Sequence, residues 1–429
     1  MHPNCGGINA AFVGFFMRWF VVGIFGFLSA CGGNLGPGAD SAVAEISWHE
    51  DVRPIFESNC VSCHEDGAIG SFALDTYESV YTLRAYVADS VESRRMPPWK
   101  PDEGCRELEH DISMSQEDID TVLAWIDAGA PEGDPDLSIE GEAWEAPSLT
   151  RVDTTLSMPA EYSPARDSAD DYRCFALDWP YEQDMYVTGY LVKPGNASAV
   201  HHVIAYVISE DYVADLDAAD PDGEGYTCFG GPGVVPQENS QWLAGWAPGG
   251  FQGEMPEGVG LYVAAGSKIA LQIHYNLDAD DGDTDLTSID VMVEESVEHP
   301  ARIQPWTNPT WLYGGGMTIP ANSTGTSHEF SYAPPIDIKL YTGNLHMHEL
   351  GQTGMLSMIQ ADGTEDCLLS ISDWDFEWQQ TYRFTEVVEV SAGTTLKVQC
   401  SWDNPTDEDV DWGDGTSDEM CLATMLMSY

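Results

Sequence analysis

Apolar positions between residues 46 and 135 recur at helical spacing. The clearest run begins at Ser115, which stands three residues before Asp118 in the pattern of a capped helix start. The apolar residues that follow share one helical face: Ile119, Val122, Leu123 and Ile126. Gly129 then ends the run. The pattern predicts a small all-α domain over residues 46–135.

From about residue 170 the pattern changes to short β-branched and aromatic runs separated by Gly, Pro and Asp. The predicted strands are residues 185–192, 201–208, 268–275, 289–293, 336–341, 355–359 and 395–398. No long helical pattern interrupts them, and about 260 residues are too many for one small sandwich. We therefore predict two all-β sandwich domains, residues 165–298 and 299–429, after a Pro/Glu/Asp-rich linker over residues 136–164.

Residues 1–31 have the pattern of an export signal. Arg18 precedes an apolar run that is too short to span a bilayer, and Met17 is an alternative start. The sequence Leu28-Ser29-Ala30-Cys31 resembles the bacterial lipoprotein cleavage box, in which Cys31 becomes lipidated. An ordinary secretory signal is the alternative. We expect an exported protein of the bacterial cell envelope, held to the membrane by a lipid anchor and facing the periplasm or the cell surface.

The charge balance is extreme, with 72 acidic and 16 basic residues and a net charge of −56. A field of this sign repels phosphate groups and so excludes nucleic acid as a partner. It also repels anionic substrates and attracts cations. Otherwise the charge indicates a solvated acidic surface that keeps the protein soluble.

The sequence Cys60-Val61-Ser62-Cys63-His64 is the C-x-x-C-H signature of c-type haem attachment. In this chemistry both thiols bond to the haem and the adjacent histidine becomes an axial iron ligand. We therefore expect one covalently bound haem c at Cys60, Cys63 and His64. Met96, in the stretch Arg95-Met96-Pro97-Pro98-Trp99, is the predicted sixth ligand. A thioether ligand raises the reduction potential, and the adjacent prolines hold the loop without needing amide donors. Met114 is the alternative ligand.

Three further stretches accompany the haem signature: residues 48–56, residues 95–99 and residues 125–131. Together with the signature they are similar to a small bacterial monohaem cytochrome c domain. The resemblance covers residues 46–135. It implies that the predicted helices surround a haem.

Five histidines form a second group of candidate ligands. His346 and His348 lie two residues apart in a strand-like run, so both side chains point to one face, as two ligands of one metal must. The adjacent His201 and His202 would point to opposite faces of a regular strand. Both can bind one metal only where the strand ends, bulges or twists. His274 stands alone, and a lone strand histidine is most often a partly buried polar side chain.

Four segments, residues 199–204, 271–275, 345–351 and 415–421, resemble one family in order and spacing. They are similar to the copper type II ascorbate-dependent monooxygenases, which include peptidylglycine α-hydroxylating and dopamine β-monooxygenases. The resemblance covers roughly residues 165–429. It implies two jelly-roll β-sandwiches that face a solvent-filled cleft, with one copper ion on each.

The resemblance also implies two sets of copper ligands. An electron-storing ion would be bound by His201, His202 and His274, and an O₂-activating ion by His346, His348 and Met420. Imidazole and thioether suit copper in both oxidation states, and the soft thioether favours Cu(I), which binds O₂. The implied reaction hydroxylates an unactivated C–H bond. Ascorbate or a periplasmic donor would supply electrons, which the attached haem would relay.

Two positions depart from the peptide-amidating members of that family. An Arg that holds a substrate carboxylate in those enzymes is replaced by Asn344, and a Tyr is replaced by Thr424. With Leu422 and Leu426 these residues predict a largely apolar pocket. We expect a small neutral or cationic organic substrate.

Six cysteines lie outside the signal, lipid and haem positions: Cys105, Cys174, Cys228, Cys367, Cys400 and Cys421. The resemblance implies a Cys400–Cys421 disulfide that holds the Met420 loop. Cys174–Cys228 is a further suggested pair, and the pairing of the other cysteines is open.

A copper monooxygenase with its own cytochrome is therefore the main functional hypothesis. The alternative is an electron-transfer or copper-binding lipoprotein without hydroxylase activity. A structural β-sandwich adhesin is disfavoured by the haem signature. Copper content and substrate-stimulated O₂ uptake separate the first two hypotheses.

Overall fold

The computed structural model describes residues 46–65, 70, 72–141, 148–166, 170–234, 239–247, 252–277, 282–313, 315–376, 378–413 and 415–429. The chain divides into two units, residues 1–45 and 46–429, and the described residues all belong to the second. The predicted signal segment and the lipidation site Cys31 lie outside them. No helix in the described ranges has the length and apolar character needed to cross a membrane.

The first part of this unit is helical, as predicted. Its helices are α1 Arg53–Asn59, α2 Tyr77–Glu92 and α3 Gln116–Asp127, with a π-helical turn at Trp48–Val52 and a 3₁₀ turn at Pro135–Leu137. The side chain of Ser115 accepts the backbone N–H of Asp118 at 3.1 Å, which forms the predicted cap of α3. Trp125 was not among the residues of the predicted apolar face. Its side chain is fully buried, and its ring lies 5.8 Å from that of Trp48.

Among the described residues, ten strands and one helix form the N-terminal sandwich. The strands are β1 Thr154–Ser157, β2 Asp170–Asp178, β3 Met185–Lys193, β4 Val200–Ile208, β5 Tyr226–Thr227, β6 Ser240–Trp246, β7 Gly253–Glu254, β8 Val259–Val263, β9 Lys268–Asn276 and β10 Ser288–Glu294; a 3₁₀ turn at Glu210–Tyr212 leads into helix α4 Val213–Ala219. Strand β1 lies within the predicted linker. It pairs antiparallel with β10 because Leu156 is buried in the sandwich core.

The C-terminal sandwich contains the other ten strands. They are β11 His299–Trp306, β12 Thr318–Ile319, β13 Ser323–Tyr332, β14 Ile338–His346, β15 Gly351–Ile359, β16 Glu365–Ile371, β17 Thr381–Val390, β18 Thr395–Asn404, β19 Val410–Asp411 and β20 Leu422–Ser428, with a 3₁₀ turn at Trp311–Tyr313. All seven predicted strand regions coincide with strands, although β14 begins two residues later than predicted.

The sheets are shared between the sandwiches in a way that the sequence did not predict. One nine-stranded sheet has the order β1-β10-β3-β8-β11-β20-β14-β17, with β7 beside β3. It crosses from one sandwich to the other where β8 and β11 pair in parallel, at Val259 with His299 and at Leu261 with Ala301. The sheet β5-β2-β9-β4-β6 covers the N-terminal half, and the sheet β13-β18-β15-β16 covers the C-terminal half.

Three disulfides connect these elements. Cys174–Cys228 and Cys400–Cys421 each lie within one sandwich, in agreement with the suggested pairs. Cys105–Cys367 joins the helical region to β16 across 262 residues of sequence. This third bond attaches the helical region to the C-terminal sandwich.

Candidate metal centres

Strands β4 and β9 bring three histidines together. His202 pairs with His274 across these strands, and a register shift between Val200 and His202 marks the irregularity that adjacent histidine ligands require. The Nδ1 atom of His274 lies 3.2 Å from that of His201 and 3.4 Å from that of His202. A metal with nitrogen bonds of 2.0–2.1 Å separates tetrahedral ligands by about 3.3 Å. The three Nδ1 atoms therefore fit one metal ion.

The neighbours of His274 fix its orientation. Its Nε2 lies 2.8 Å from Oδ1 of Asp170, which leaves Nδ1 for a metal. The ring of Tyr172 stacks on the His274 ring at 4.1 Å with an interplanar angle of 6°. The hydrogen bond from His274 lowers the pKa of Asp170 below its ordinary value. Asp170 and Tyr172 were not among the predicted site residues.

Burial keeps the imidazoles of His201 and His202 neutral. It lowers the pKa of His201 to about 4 and holds that of His202 well below its ordinary value, and the nearby His274 adds to both effects. Neutral imidazole is the form that binds a metal ion. His201 and His202 are therefore in their metal-binding protonation state at neutral pH.

The second set forms at the end of β14. The rings of His346 and His348 lie 5.1 Å apart, as expected for alternate residues on one face. Nδ1 of His346 is hydrogen-bonded to Oε1 of Gln379, and Nδ1 of His348 lies 3.0 Å from the carbonyl oxygen of Asp418. With both Nδ1 atoms occupied, Nε2 of each ring is the atom left for a metal.

Glu419 fixes the chain next to Met420. This fully buried carboxylate accepts the backbone N–H groups of His348 at 2.9 Å and Leu350 at 2.6 Å, and Nε1–H of Trp402 at 2.8 Å. Burial raises the pKa of Glu419 to about 7. Its hydrogen bonds attach residues 418–421, which we call the Met420 segment, to residues 346–350, which we call the histidine loop.

The strand register places Met420 beside the same loop. His346 pairs with Leu422 across β14 and β20, so continuing that register by two residues brings Met420 opposite His348. The disulfide Cys400–Cys421 holds the other side of Met420. Met420 therefore lies between Glu419, which is held by hydrogen bonds, and Cys421, which is held by a disulfide. Sequence analysis predicted that Cys421 holds the Met420 loop, but it did not identify Glu419.

One aromatic ring lies between the two histidine sets. Phe376 stacks on the His201 ring at 5.5 Å, and its centroid is 6.0 Å from that of His348. Beside it, Oγ1 of Thr416 donates to Oδ2 of Asp170 at 3.3 Å, which links the two sandwiches. The resemblance implied a solvent-filled cleft here. The loop after β16 places Phe376 between the two histidine sets, and the solvent-filled cleft stays a prediction.

A small cavity of about 50 Å³ lies between the sandwiches, on the other side of Asn344 from His346 along β14. Its lining is mainly apolar and includes Tyr190, Trp242, Met255, Ile303, Thr424 and Leu426. Thr424 and Leu426 were predicted to line a pocket, whereas Asn344 and Leu422 do not line this one. Asn344 instead donates its side-chain N–H to the Gln380 carbonyl at 2.8 Å.

The cavity also contains Arg383, which sequence analysis missed. Its Nε lies 3.0 Å from Oε2 of Glu109, and its Nη1 donates to the carbonyl oxygen of Glu254 at 3.0 Å. The arginine charge is therefore balanced by an acidic residue from the helical region. The position of Arg383 in the cavity depends on its contact with Glu109, which is distant in the chain. No local sequence pattern therefore marks Arg383 as a cavity residue.

Residues 313–429 match the family model "Copper type II ascorbate-dependent monooxygenase, C-terminal domain". This segment contains His346, His348 and Met420. In the curated human protein "Putative DBH-like monooxygenase protein 2", 241 residues are 26% identical, which covers 53% of this chain and 46% of that protein. The chain thus spans about half the length of the curated relative it matches. The matching family model is that of a copper-dependent monooxygenase domain, and the human relative is named a DBH-like monooxygenase.

Solved structures add nothing to this assignment. A structure of PNGF-II has a TM-score of 0.27 at 11% identity and covers 64% of each chain. PNGase F, a glycosylasparaginase from Flavobacterium meningosepticum, has a TM-score of 0.28 at 10% identity, with coverage of 64% of this chain and 96% of that one. Scores this low carry no argument about fold or function.

The haem signature presents two free thiols and an oriented histidine. Cys60 and Cys63 are unpaired and half-buried, whereas the other six cysteines of the described ranges form disulfides. Nδ1 of His64 lies 3.0 Å from the carbonyl oxygen of Phe72, which leaves Nε2 for an iron ion. A Cβ atom at Gly70 would lie 2.5 Å from that Nδ1, so only glycine fits there. This donor set fits a covalently attached haem.

The two candidate sixth ligands have different surroundings. Met96 is half-buried just after α2, and its backbone N–H donates to the Ser90 carbonyl at 3.1 Å. Met114 is buried in the helical core. The assignment of Met96 stays a prediction, with Met114 as its alternative.

Proposed function

We propose that this protein is a copper-dependent monooxygenase that hydroxylates a C–H bond of a small organic substrate. One substrate, one O₂, two electrons and two protons would give one alcohol and one water. The convergence of three Nδ1 atoms opposite a second histidine pair, within a chain that matches the monooxygenase domain, carries the proposal.

The ligand sets would hold two copper ions. His201, His202 and His274 would bind one ion through Nδ1, and His346, His348 and Met420 would bind the other through two Nε2 atoms and a thioether. Bound copper would supply O₂ activation and one-electron transfer, which the thioether favours by stabilising Cu(I). Asp170 and Gln379 orient the rings that they contact, and Glu419 keeps the histidine loop and the Met420 segment together.

The cavity beside β14 is the proposed substrate site. Apolar side chains exclude water from its walls, and the hydroxyls of Thr381 and Thr424 offer hydrogen bonds that orient a polar end of the substrate. Glu109 balances the charge of Arg383, and the chain is strongly acidic overall. We therefore propose a neutral or cationic substrate with an apolar body.

The helical region is the proposed cytochrome. Cys60, Cys63 and His64 would hold one haem c, with Met96 as the sixth ligand, and the haem would relay electrons from ascorbate or a periplasmic donor. The proposed domains are the cytochrome at residues 46–135, the linker at 136–164 and the copper sandwiches at 165–298 and 299–429. We also propose export by residues 1–31 and a lipid anchor at Cys31 in the bacterial cell envelope.

The test is the metal content and oxygen chemistry of the purified holoprotein. Copper would be counted by plasma mass spectrometry and haem by its absorbance, and candidate amines and aromatic compounds would be screened for ascorbate-driven O₂ uptake. We expect two copper ions per haem, label from ¹⁸O₂ in an alcohol product, and loss of the label in Met420→Leu. A single copper ion, or hydroxylation that survives Met420→Leu, contradicts the proposal. Bound copper without turnover supports the electron-transfer alternative instead.

A further inference from the structure

Residues 99–109, which we call the docking segment, lie against β16 and β17 of the C-terminal sandwich. The disulfide Cys105–Cys367 anchors the segment to β16. The backbone N–H of Glu109 donates to the Arg383 carbonyl at 2.8 Å, and that of Thr385 donates to the Glu107 carbonyl at 3.1 Å. The docking segment therefore pairs along the edge of β17 as an added piece of strand.

Polar side chains fix the other end of the docking segment. Asp102 accepts the hydroxyls of Ser370 at 2.5 Å and Ser372 at 2.6 Å, and its backbone N–H donates to the Ser370 carbonyl at 2.7 Å. Lys100, whose side chain is only 8% exposed, lies 3.2 Å from the carboxylate of Asp373. A covalent bond, backbone pairing and polar side-chain contacts together hold the helical region in one position on this sandwich.

The docking segment begins with an aromatic contact. Trp99 follows the predicted haem ligand Met96 by three residues, and its ring packs edge-to-face on Tyr382 at 5.2 Å and 83°. Tyr382 is 3% exposed and lies on β17, opposite Gly343 of β14. Residues 95–99, which we call the haem loop, are thus in contact with the strand pair that leads to the second histidine set.

A short bonded path continues from Tyr382 to that set. Gln379, three residues before Tyr382, is hydrogen-bonded through Oε1 to Nδ1 of His346. Asn344, two residues before His346, donates to the Gln380 carbonyl at 2.8 Å. Electron tunnelling falls steeply with distance and is faster through covalent and hydrogen bonds than through gaps. A path of rings and bonds therefore joins the haem loop to an imidazole of this set.

We propose that the docking segment delivers electrons from the haem directly to the His346, His348 and Met420 centre, with Trp99 and Tyr382 as the aromatic steps. The inference rests on the proposed function. One electron leaves ferrous haem, which becomes ferric, and reduces Cu(II) to Cu(I) at this centre. Ascorbate or another one-electron donor then reduces the haem again. Trp99 is a positioning residue for electron transfer and takes no part in the oxygen chemistry.

The first test measures haem reoxidation without oxygen. The haem of the holoprotein is reduced by a photoexcited reductant, and its absorbance is followed as the electron moves to Cu(II). In Trp99→Leu we expect reoxidation to slow by roughly tenfold or more, whereas Trp99→Phe should stay close to wild type. Tyr86→Leu, at an exposed ring on α2, is the matched control. Haem content, copper content and haem reduction potential show whether each variant is intact.

The second test identifies which copper centre accepts the electron from the haem. It uses histidine variants, so it can be carried out even if the Trp99 variants do not fold. The variant His274→Ala removes a ligand of the first set, and rapid haem reoxidation should persist in it. In freeze-quenched samples the electron paramagnetic resonance signal of the remaining Cu(II) should disappear at the same time. In His346→Ala, haem reoxidation should slow or stop. The opposite pattern overturns the inference.

The two proposals fail in different ways. Absence of copper, or no hydroxylation with ascorbate, would refute the proposed function itself. Normal copper content and ascorbate-driven hydroxylation, combined with wild-type haem reoxidation in Trp99→Leu, would refute only the role of the docking segment.

Discussion

The two histidine sets use the same side chain in opposite ways. In the first set, three Nδ1 atoms converge from two paired strands, and one carboxylate and one stacked ring hold His274. In the second set, Nδ1 is occupied by Gln379 and a backbone carbonyl, so Nε2 faces the centre. The first set is complete within β4 and β9. The second is assembled from a strand end and a separate loop, and it depends on Glu419 and a disulfide.

This difference suggests different tasks. Three ligands on paired strands keep their geometry when the metal changes charge, which suits the storage of an electron. A thioether ligand from Met420 in the second set would favour Cu(I), the state that binds O₂. Variants of the supporting residues can break this contrast, because each should affect one set and spare the other.

The largest effect is expected for Glu419→Ala. The change leaves four hydrogen-bond donors without their acceptor, so we expect the unfolding free energy to fall by about 4 kcal/mol and copper to be lost from the second set. Thermal unfolding of the metal-free protein and copper analysis measure the two effects. The control is Glu349→Ala, at an exposed acidic residue beside His348, which should change stability by less than about 0.5 kcal/mol. Equal changes in stability and copper content in the two variants would show that Glu419 does not hold the second set together.

Next comes the disulfide Cys400–Cys421, tested by changing both cysteines to serine. Its partners are 21 residues apart, so the closed loop should contribute about 3 kcal/mol. We expect copper affinity to fall at the second set and to stay unchanged at the first, as measured by copper titration. The corresponding change at Cys174–Cys228 should destabilise the N-terminal sandwich while the second set keeps its copper. Equal losses of copper at both sets in either variant would contradict the contrast.

A smaller effect is expected for Asp170→Asn. An amide can still accept from Nε2 of His274 but lacks the carboxylate charge, so copper affinity of the first set should fall by about tenfold. Competition with a copper chelator measures this affinity. Asp178→Asn, at the exposed end of the same strand, is the control and should leave the affinity unchanged. If Asp170→Asn weakens only the second set, the assignment of this carboxylate to His274 is wrong.

The smallest effect on stability is expected for Phe376→Leu, at about 1 kcal/mol. Loss of the ring between His201 and His348 should slow electron exchange between the sets, so less alcohol should form per O₂ consumed. Product analysis alongside oxygen uptake measures this ratio. Phe330→Leu, at a half-buried ring on β13, is the control. An unchanged ratio would mean that Phe376 only fills space.

Local patterns explain what the sequence could predict. The alternation of residues along β3 and the two-residue spacing of His346 and His348 depend only on strand geometry, so both could be derived from the chain itself. The haem signature is equally local. The capped start of α3 was predictable for the same reason, because Ser115 and Asp118 are three residues apart.

Long-range contacts explain what the sequence missed. Asp170 reaches His274 across 104 residues, and Cys105 reaches Cys367 across 262. Gln379 and Phe376 lie in a loop without periodicity, so nothing in their sequence context marks them. These contacts exist only once the strands have paired, and pairing over such distances leaves no repeating pattern in the chain.

The parallel pairing of β8 with β11 has a mechanical consequence. Two lobes joined by a flexible tether can swing apart, but these lobes share a row of backbone hydrogen bonds from Val259 to Leu261. A hinge at this place would have to break that row. Admission and departure of small molecules should therefore depend on shifts of the rim loops, and hydrogen–deuterium exchange should be slow at the seam and faster around it.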